Sequence, residues 1–284
     1  KKKEEKGDPT MSTVINTNFA AVLSRKNLDT VQREMDQSIG RLSSGLRINS
    51  AADDAAGMAI AGRMESQERG LTAQIRNAKD AQSRVSTAEG AMSEITEILQ
   101  RMRELAVQAS SGVATSVDRG YLDLEMHQLV DEIEAIADNT KFNDAKIFST
   151  GQTTYFTDID VNGTPITVVS ANMNVSMLAV TANNVSVGTQ ALAKIAISRI
   201  DTAIASVDSK RASLGAVANR LDHTIDNLSN VVMNTVASKS RIEDADFAAE
   251  TTIMTRNSVL QQAATAMLSQ ANASKNTILS LIQQ

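Results

Sequence analysis

The chain has no cysteine, no tryptophan, 2 proline, 2 tyrosine and 5 phenylalanine residues among its 284. Without cysteine there is no disulfide framework and no thiolate chemistry, a usage that suits a protein leaving the cell. Aromatic side chains supply about 150–250 Å² of burial each in a compact core. A chain nearly without them must bury Leu, Ile, Val, Met and Ala along a long, thin interface. So few prolines leave room for long uninterrupted helices. No apolar run approaches the roughly 18 residues that a membrane-spanning helix needs, so no membrane insertion is expected. A formal net charge of −5, with the signs interspersed, argues against nucleic acid as a partner. These absences together predict an extended, mainly α-helical protein.

The first ten residues, KKKEEKGDPT, are charged and lead into no apolar stretch, so a cleavable signal peptide is not expected. Residues 1–11 read as a tag or an upstream extension.

Beyond them the pattern is helical. Phe19, Val22, Leu28, Val31, Met35, Ile39 and Leu42 recur mostly three or four residues apart, a narrow apolar seam. Gly40, Gly45 and Asn49 can break that helix, and Asp53–Asp54 stands where the next could be capped. A second run extends from about Ala55 to Ala109; within it Met92, Ile95, Leu99, Met102, Ala106 and Ala109 alternate steps of three and four, a coiled-coil spacing. After the loop SSGVATSVDRG a third run carries Leu122, Met126, Leu129, Ile133 and Ile136 and stops at NTKFND. Residues 151–190 change character: their only charges are Asp158 and Asp160. Asn162–Gly163 there sits between alternating segments, a strong hairpin signal. The helical rhythm returns from Leu192 to Val232, and a last run holds Leu260, Ala264, Met267 or Leu268, Ala271, Ile278 and Leu281.

The layout is two helical arms around a small central β-hairpin region, with long antiparallel helices in coiled-coil or bundle packing. Seams at both ends of the chain predict that the terminal helices pair, through Val31, Met35, Ile39 and Leu42 against Leu260, Met267, Leu268, Ile278 and Leu281. Isolated helices are marginal in water, and two narrow stripes leave apolar edges exposed. Neighbouring copies are the obvious cover, and heterologous contacts that do not close give an open helical filament.

Catalytic signals are missing. His127 and His223 each stand alone, no serine sits in a nucleophile elbow, and no glycine cluster forms a phosphate loop. Asp53 and Asp54 read as caps and helix-dipole partners. Methionines fall mainly at seam positions, as core. Neither enzyme activity nor a cofactor is expected.

VINTN (Val14–Asn18), RLSSGLRINSAADDAAGMAIAGRM (Arg41–Met64), LQRMRELAVQAS (Leu99–Ser110), FND (Phe142–Asp144) and the ending AMLSQANASKNTILSLIQQ together resemble bacterial flagellin. The likeness covers roughly residues 12–150 and 192–284. It implies an inner-tube coiled coil, D0, from 12–55 with 245–284. It further implies an outer-tube helical domain, D1, from 56–150 with 191–244, and a short variable β or loop region at 151–190. Gly45, Leu46, Arg47, Asn49, Asp53 and Asp54 would then form the D0–D1 connector.

The resemblance also implies a function: a structural subunit polymerising into the motility filament outside the cell, exported through the flagellar secretion channel. Implied partners are further copies of the chain, an export chaperone, the filament cap and hook-junction proteins. Relatives detected by an animal Toll-like receptor carry QRVRELAVQ with a glutamate on the following helix. Here QRMRELAVQ and Glu125 correspond, which marks Gln100, Arg101, Arg103, Glu104, Leu105, Gln108 and Glu125 as a protofilament-interface or receptor face. In the heptad frame Arg101 and Leu105 lie beside the seam and are expected at the surface. The alternatives are a hook–filament junction protein, a filament with added adhesin activity, and a protease housed in the centre. The last needs a motif such as H-E-x-x-H, and residues 151–190 contain no histidine.

Overall fold

The computed structural model describes residues 17–148, 153–156, 166–169 and 173–282. Residues 1–11 and the Asn162–Gly163 turn lie outside the described residues. Five helices dominate: α1 (Phe19–Ser44), α2 (Ala55–Ala109), α3 (Ser116–Asn139), α4 (Gln190–Glu243) and α5 (Phe247–Ile282). Between α3 and α4 lie two antiparallel pairs, β1 (Lys141–Phe142) with β2 (Ala145–Lys146) and β3 (Thr153–Phe156) with β4 (Ile166–Val169). The chain forms two compact units, one running to Glu65 and resuming at Val236, the other Ser66–Thr235.

In the second unit the buried residues of α2 keep the coiled-coil spacing from Leu71 through Ala78, Ala81, Val85, Ala88, Met92, Ile95, Leu99, Met102 and Ala106 to Ala109. Ala193, Ala196, Ile200, Ala203, Val207, Leu214, Leu221 and Leu228 of α4 join the same core. The two helices run antiparallel, as Arg103–Asp201 and Gln82–Asp222 require. Third in this core is α3, through Met126, Val130 and Ile133. Each buried Leu, Ile or Met contributes about 1.5–3 kcal/mol, and Phe148 is an aromatic that joins this core.

The third helix begins earlier than its apolar rhythm suggests, inside SSGVATSVDRG, because Thr115 and Asp118 form a reciprocal capping box. Arg119 then donates to the carbonyls of Ala109 and Ser111, closing the end of α2. Asn143 and Asp144 both take positive φ, 50° and 61°, which a tight two-residue turn between β1 and β2 demands.

Residues 173–189 are irregular yet well packed: Met173, Val175, Leu178, Val180, Val185 and Val187 are all buried. Asp123 of α3 accepts from the Val187 amide at 2.7 Å, and Arg199 of α4 donates to the Asn184 carbonyl at 2.6 Å. This part of the central region is therefore a fixed component of the α2–α3–α4 core.

In the first unit α1 packs along α5. The contacts Asn18 to Ala271, Gln32 to Gln261 and Arg41 to Glu250 establish an antiparallel pair. Gly40 stays helical within α1, and the helix ends at Gly45, which takes the left-handed conformation (φ 74°).

The seam of this pair differs from the expected one. Val31, Met35, Leu42 and Leu268 do lie partly buried. Ile39, Leu260 and Met267 do not: they are 47%, 40% and 63% exposed. Their places on the seam are taken by neighbours, Ser38 on α1 and Asn257 and Gln261 on α5. On α1 only Ile39 departs, with Ser38 in its place; on α5 the seam runs through Gln261 and Leu268, one residue beyond Leu260 and Met267, whose more apolar stripe faces away from α1. The side chains of Ile278 and Leu281 lie outside the described set.

Candidate assembly interface

Arg41–Met64 folds into the end of α1, an extended crossing, a turn and the start of α2. Gly45 donates its amide to the Arg41 carbonyl at 2.8 Å, a left-handed helix cap. The chain then runs antiparallel to Glu243–Ala245, the return crossing from α4 to α5. Ala245 donates to Gly45 at 2.9 Å, Arg47 to Glu243 at 2.6 Å, and Leu46 bridges Asp244. The Arg47 guanidinium also donates to the Ile242 carbonyl near the end of α4, where a cation meets the negative end of the helix dipole.

Beyond the crossing Ile48 is buried and Asp53 organises the turn. One carboxylate oxygen accepts from the Asn49 amide, the Ser50 amide and the Ser50 hydroxyl, and the other from Gln37. Asp54 caps α2 by accepting the Gly57 amide at 2.8 Å. A Cβ at Gly57 would lie 2.5 Å from the Asp54 carboxylate and 2.8 Å from Ile48, so a larger residue would have to displace the cap or the buried Ile48 side chain. The expected connector residues thus come together in one hydrogen-bonded turn. Sequence reading missed its other half, Glu243–Ala245 and Asp246, which caps α5 through the amides of Ala248 and Ala249. The available signal was Asp244–Ala–Asp246 just ahead of a helical run, the same capping chemistry as Asp53–Asp54.

The hydrogen bonds from Ser50, then Asn49 and Gln37, hold the Asp53 carboxyl below its ordinary pKa. A depressed carboxylate contributes stability above the unfolded pKa, about 3.9, and loses it as pH falls through the lower folded value. The Asn49 and Ser50 amide resonances should therefore titrate together with a midpoint below about 3.9. A midpoint at or above that value would show that the turn does not depend on the Asp53 charge.

Of the α2–α3 face, Gln100, Arg101, Arg103, Glu104 and Gln108 are exposed and Glu125 is partly so. Arg101 donates to Glu125 at 2.8 and 3.0 Å and to Glu104 at 3.1 Å, which raises its pKa further. Arg103 pairs with Asp201 of α4 at 2.6 Å. Leu105 does not belong to this face: it is 1% exposed and sits in the core. A two-helix seam would leave its position at the flank, but α3 packs on that flank of α2, as Arg101–Glu125 marks, and buries it. The apolar member of the exposed face is Val107, at 47%. With Gln100, Arg103, Glu104 and Gln108 it lines a shallow open groove.

The arm pair carries a second surface. Phe19, Val22, Ile39, Phe247, Ile253, Val259, Leu260 and Met267 are all at least two-fifths exposed. Ile253, Leu260 and Met267 recur every seven residues, one stripe of α5. Among the described residues no cluster of three or more His, Asp or Glu side chains is placed to hold a metal ion. No described helix is long and apolar enough to cross a membrane.

A mainly helical chain whose terminal arms pair through a partly polar seam and turn apolar stripes outward has the build of a structural subunit rather than of a catalyst. The N-terminal helical region of bacterial flagellin matches residues 15–153, and the C-terminal helical region matches 197–282. A flagellin of Halalkalibacterium halodurans is 40% identical over 273 residues, 95% of this chain and 100% of its own length. Flagellin FlaB2 of Treponema pallidum is 36% identical over 285 residues, again 95% of this chain and 100% of its own. The Bacillus cereus flagellin crystal structure aligns over 54% of this chain and 88% of its own at 34% identity, TM-score 0.49. A Vibrio parahaemolyticus structure described as flagellar hook-associated shares the fold at 17% identity, TM-score 0.57, covering 68% of this chain and 100% of its own. The chain belongs to the bacterial flagellin family and is a structural subunit of the flagellar filament.

Proposed function

We propose that the α1–α5 arms form the inner tube, D0, and the α2–α3–α4 core the outer tube, D1, of a filament of identical copies. The connector of Gly45–Asp54 and Glu243–Asp246 would set the geometry that each copy repeats. The observation that carries this reading is the outward apolar stripe of the arm pair, Ile253, Leu260 and Met267, which α1 does not cover. Contacts of this sort that fail to close on themselves propagate as a helix of subunits.

The groove at Gln100, Arg103, Glu104, Val107 and Gln108 is read as a contact between neighbouring copies. An animal Toll-like receptor would meet the same face, with Arg101 and Glu125 at its edge. Export through the flagellar secretion channel, delivery by a chaperone, and contacts with the cap and the hook-junction proteins complete the reading by family likeness.

Seeding the purified chain with short filament fragments, followed by electron microscopy, tests it. Filaments of uniform diameter are expected. A stable, monodisperse monomer under the same conditions would overturn the assembly reading.

A further inference from the structure

The polar side chains on the α1–α5 seam stand out because they occupy positions where a coiled coil gains most from apolar burial. Ser38, Glu250 and Asn257 are only 3%, 6% and 2% exposed. Glu250 meets Arg41 through one hydrogen bond of 2.9 Å. The other Glu250 oxygen, Arg41 Nε and Asn257 Nδ2 are buried and make no hydrogen bond among the described residues. A part-buried ion pair that leaves a buried carboxylate oxygen and a buried guanidinium nitrogen unmet is a poor source of stability compared with packed apolar side chains. Such groups are best explained where they specify a pairing.

We propose that Arg41 and Glu250, supported by the buried Ser38 and Asn257, determine the register of the arm pair. They hold α5 against α1 in one alignment. The apolar seam residues alone repeat every seven positions, so a slip of one heptad would preserve their contacts. Glu250 and Asn257 are also seven apart, but the ion pair with Arg41 does not repeat. A one-heptad slip places Glu250 opposite Glu34 in one direction and opposite Ile48, beyond the end of α1, in the other. Either slip strands a buried carboxylate away from Arg41. The outward stripe of Ile253, Leu260 and Met267 has no such groups and accepts apolar neighbours without choosing among them.

The advantage of a fixed register rests on the filament reading, since repeating copies must all present the outward stripe at the same height. The register itself is a property of the single chain. The crossing of Gly45–Arg47 with Glu243–Ala245 ties the arms at one end only, so the competing explanation is that this crossing sets the whole register.

The absence of cysteine makes a clean test possible on the full-length, unassembled chain. One reporter carries Gln32→Cys with Gln261→Cys, the observed contact; the other carries Gln32→Cys with Met254→Cys, one heptad away. With Arg41 and Glu250 intact, oxidation should join the first pair and leave the second at background. In the double variant Arg41→Leu/Glu250→Leu both reporters should cross-link. The charge exchange Arg41→Glu/Glu250→Arg should restore the single product, which a purely structural loss would not.

A second arm adds short filament fragments to the cysteine-free parent and to the Leu/Leu chain. If the Leu/Leu chain keeps the single in-register product, the crossing sets the register and the proposal is overturned. Electron microscopy of the mixtures separates this from failure of assembly: without polymer the filament reading fails, while the single-chain cross-links still decide the register.

Discussion

Replacing Leu105 with aspartate is expected to unfold the α2–α3–α4 core. The side chain is 1% exposed and lies in the cluster that includes Leu99, Met102, Met126 and Ile133. Truncating a buried leucine to alanine typically costs about 2–5 kcal/mol. Aspartate adds a charge inside the apolar cluster, and the cation one turn away, Arg101, is already paired with Glu125 and Glu104. A marginally stable domain has only about 5–15 kcal/mol in all. Circular dichroism should show lost helicity or a melting transition displaced far downward. On the same helix Val107→Asp alters a 47% exposed position and should leave melting close to the parent's. Parent-like melting of the Leu105 variant would mean that α3 does not cover this flank of α2.

That contrast marks what periodicity can and cannot reveal. The apolar spacing along α2 predicted which of Met92, Ile95, Leu99, Met102, Ala106 and Ala109 face inward, and all six are buried. It could not reveal Leu105, because burial at the flank of a seam depends on whether a third helix arrives. Nothing local to α2 encodes where α3 docks. The packed segment 173–189 was illegible for a related reason. Met173, Val175, Leu178 and Val180 look like a polar-flanked loop with scattered apolar residues until Asp123 and Arg199 pin its backbone. The connector was more legible, since Gly45, Asp53 and Asp54 announce cap and turn chemistry in their own side chains. Its partner Glu243–Ala245 contributes mainly backbone groups, so the mark it leaves in sequence is confined to the capping signal of Asp244–Ala–Asp246.

The arms show the limit most clearly, and they lead to the second large effect. Hydrophobic spacing locates stripes that need burial but not who buries them. On α5 Leu260 and Met267 read as seam positions together with Leu268, yet those two are exposed and the partly buried positions are Met254, Gln261 and Leu268. If other copies cover the outward stripe, Leu260→Glu with Met267→Glu should abolish polymerisation while leaving the chain folded. Loss of one interface hot spot costs about 2 kcal/mol or more, and each 1.4 kcal/mol is tenfold in an equilibrium. Two such losses in every subunit contact should raise the concentration needed for assembly by roughly a hundredfold or more. Helicity and the in-register cross-link of the Gln32→Cys/Gln261→Cys reporter should match the parent's, because neither side chain faces α1. Sedimentation and electron microscopy would read the first outcome, circular dichroism and oxidation the second. Filaments at the parent's yield would show that the stripe is merely solvated. A lost cross-link would instead place Leu260 and Met267 back on the intramolecular seam, and the outward stripe would no longer account for assembly.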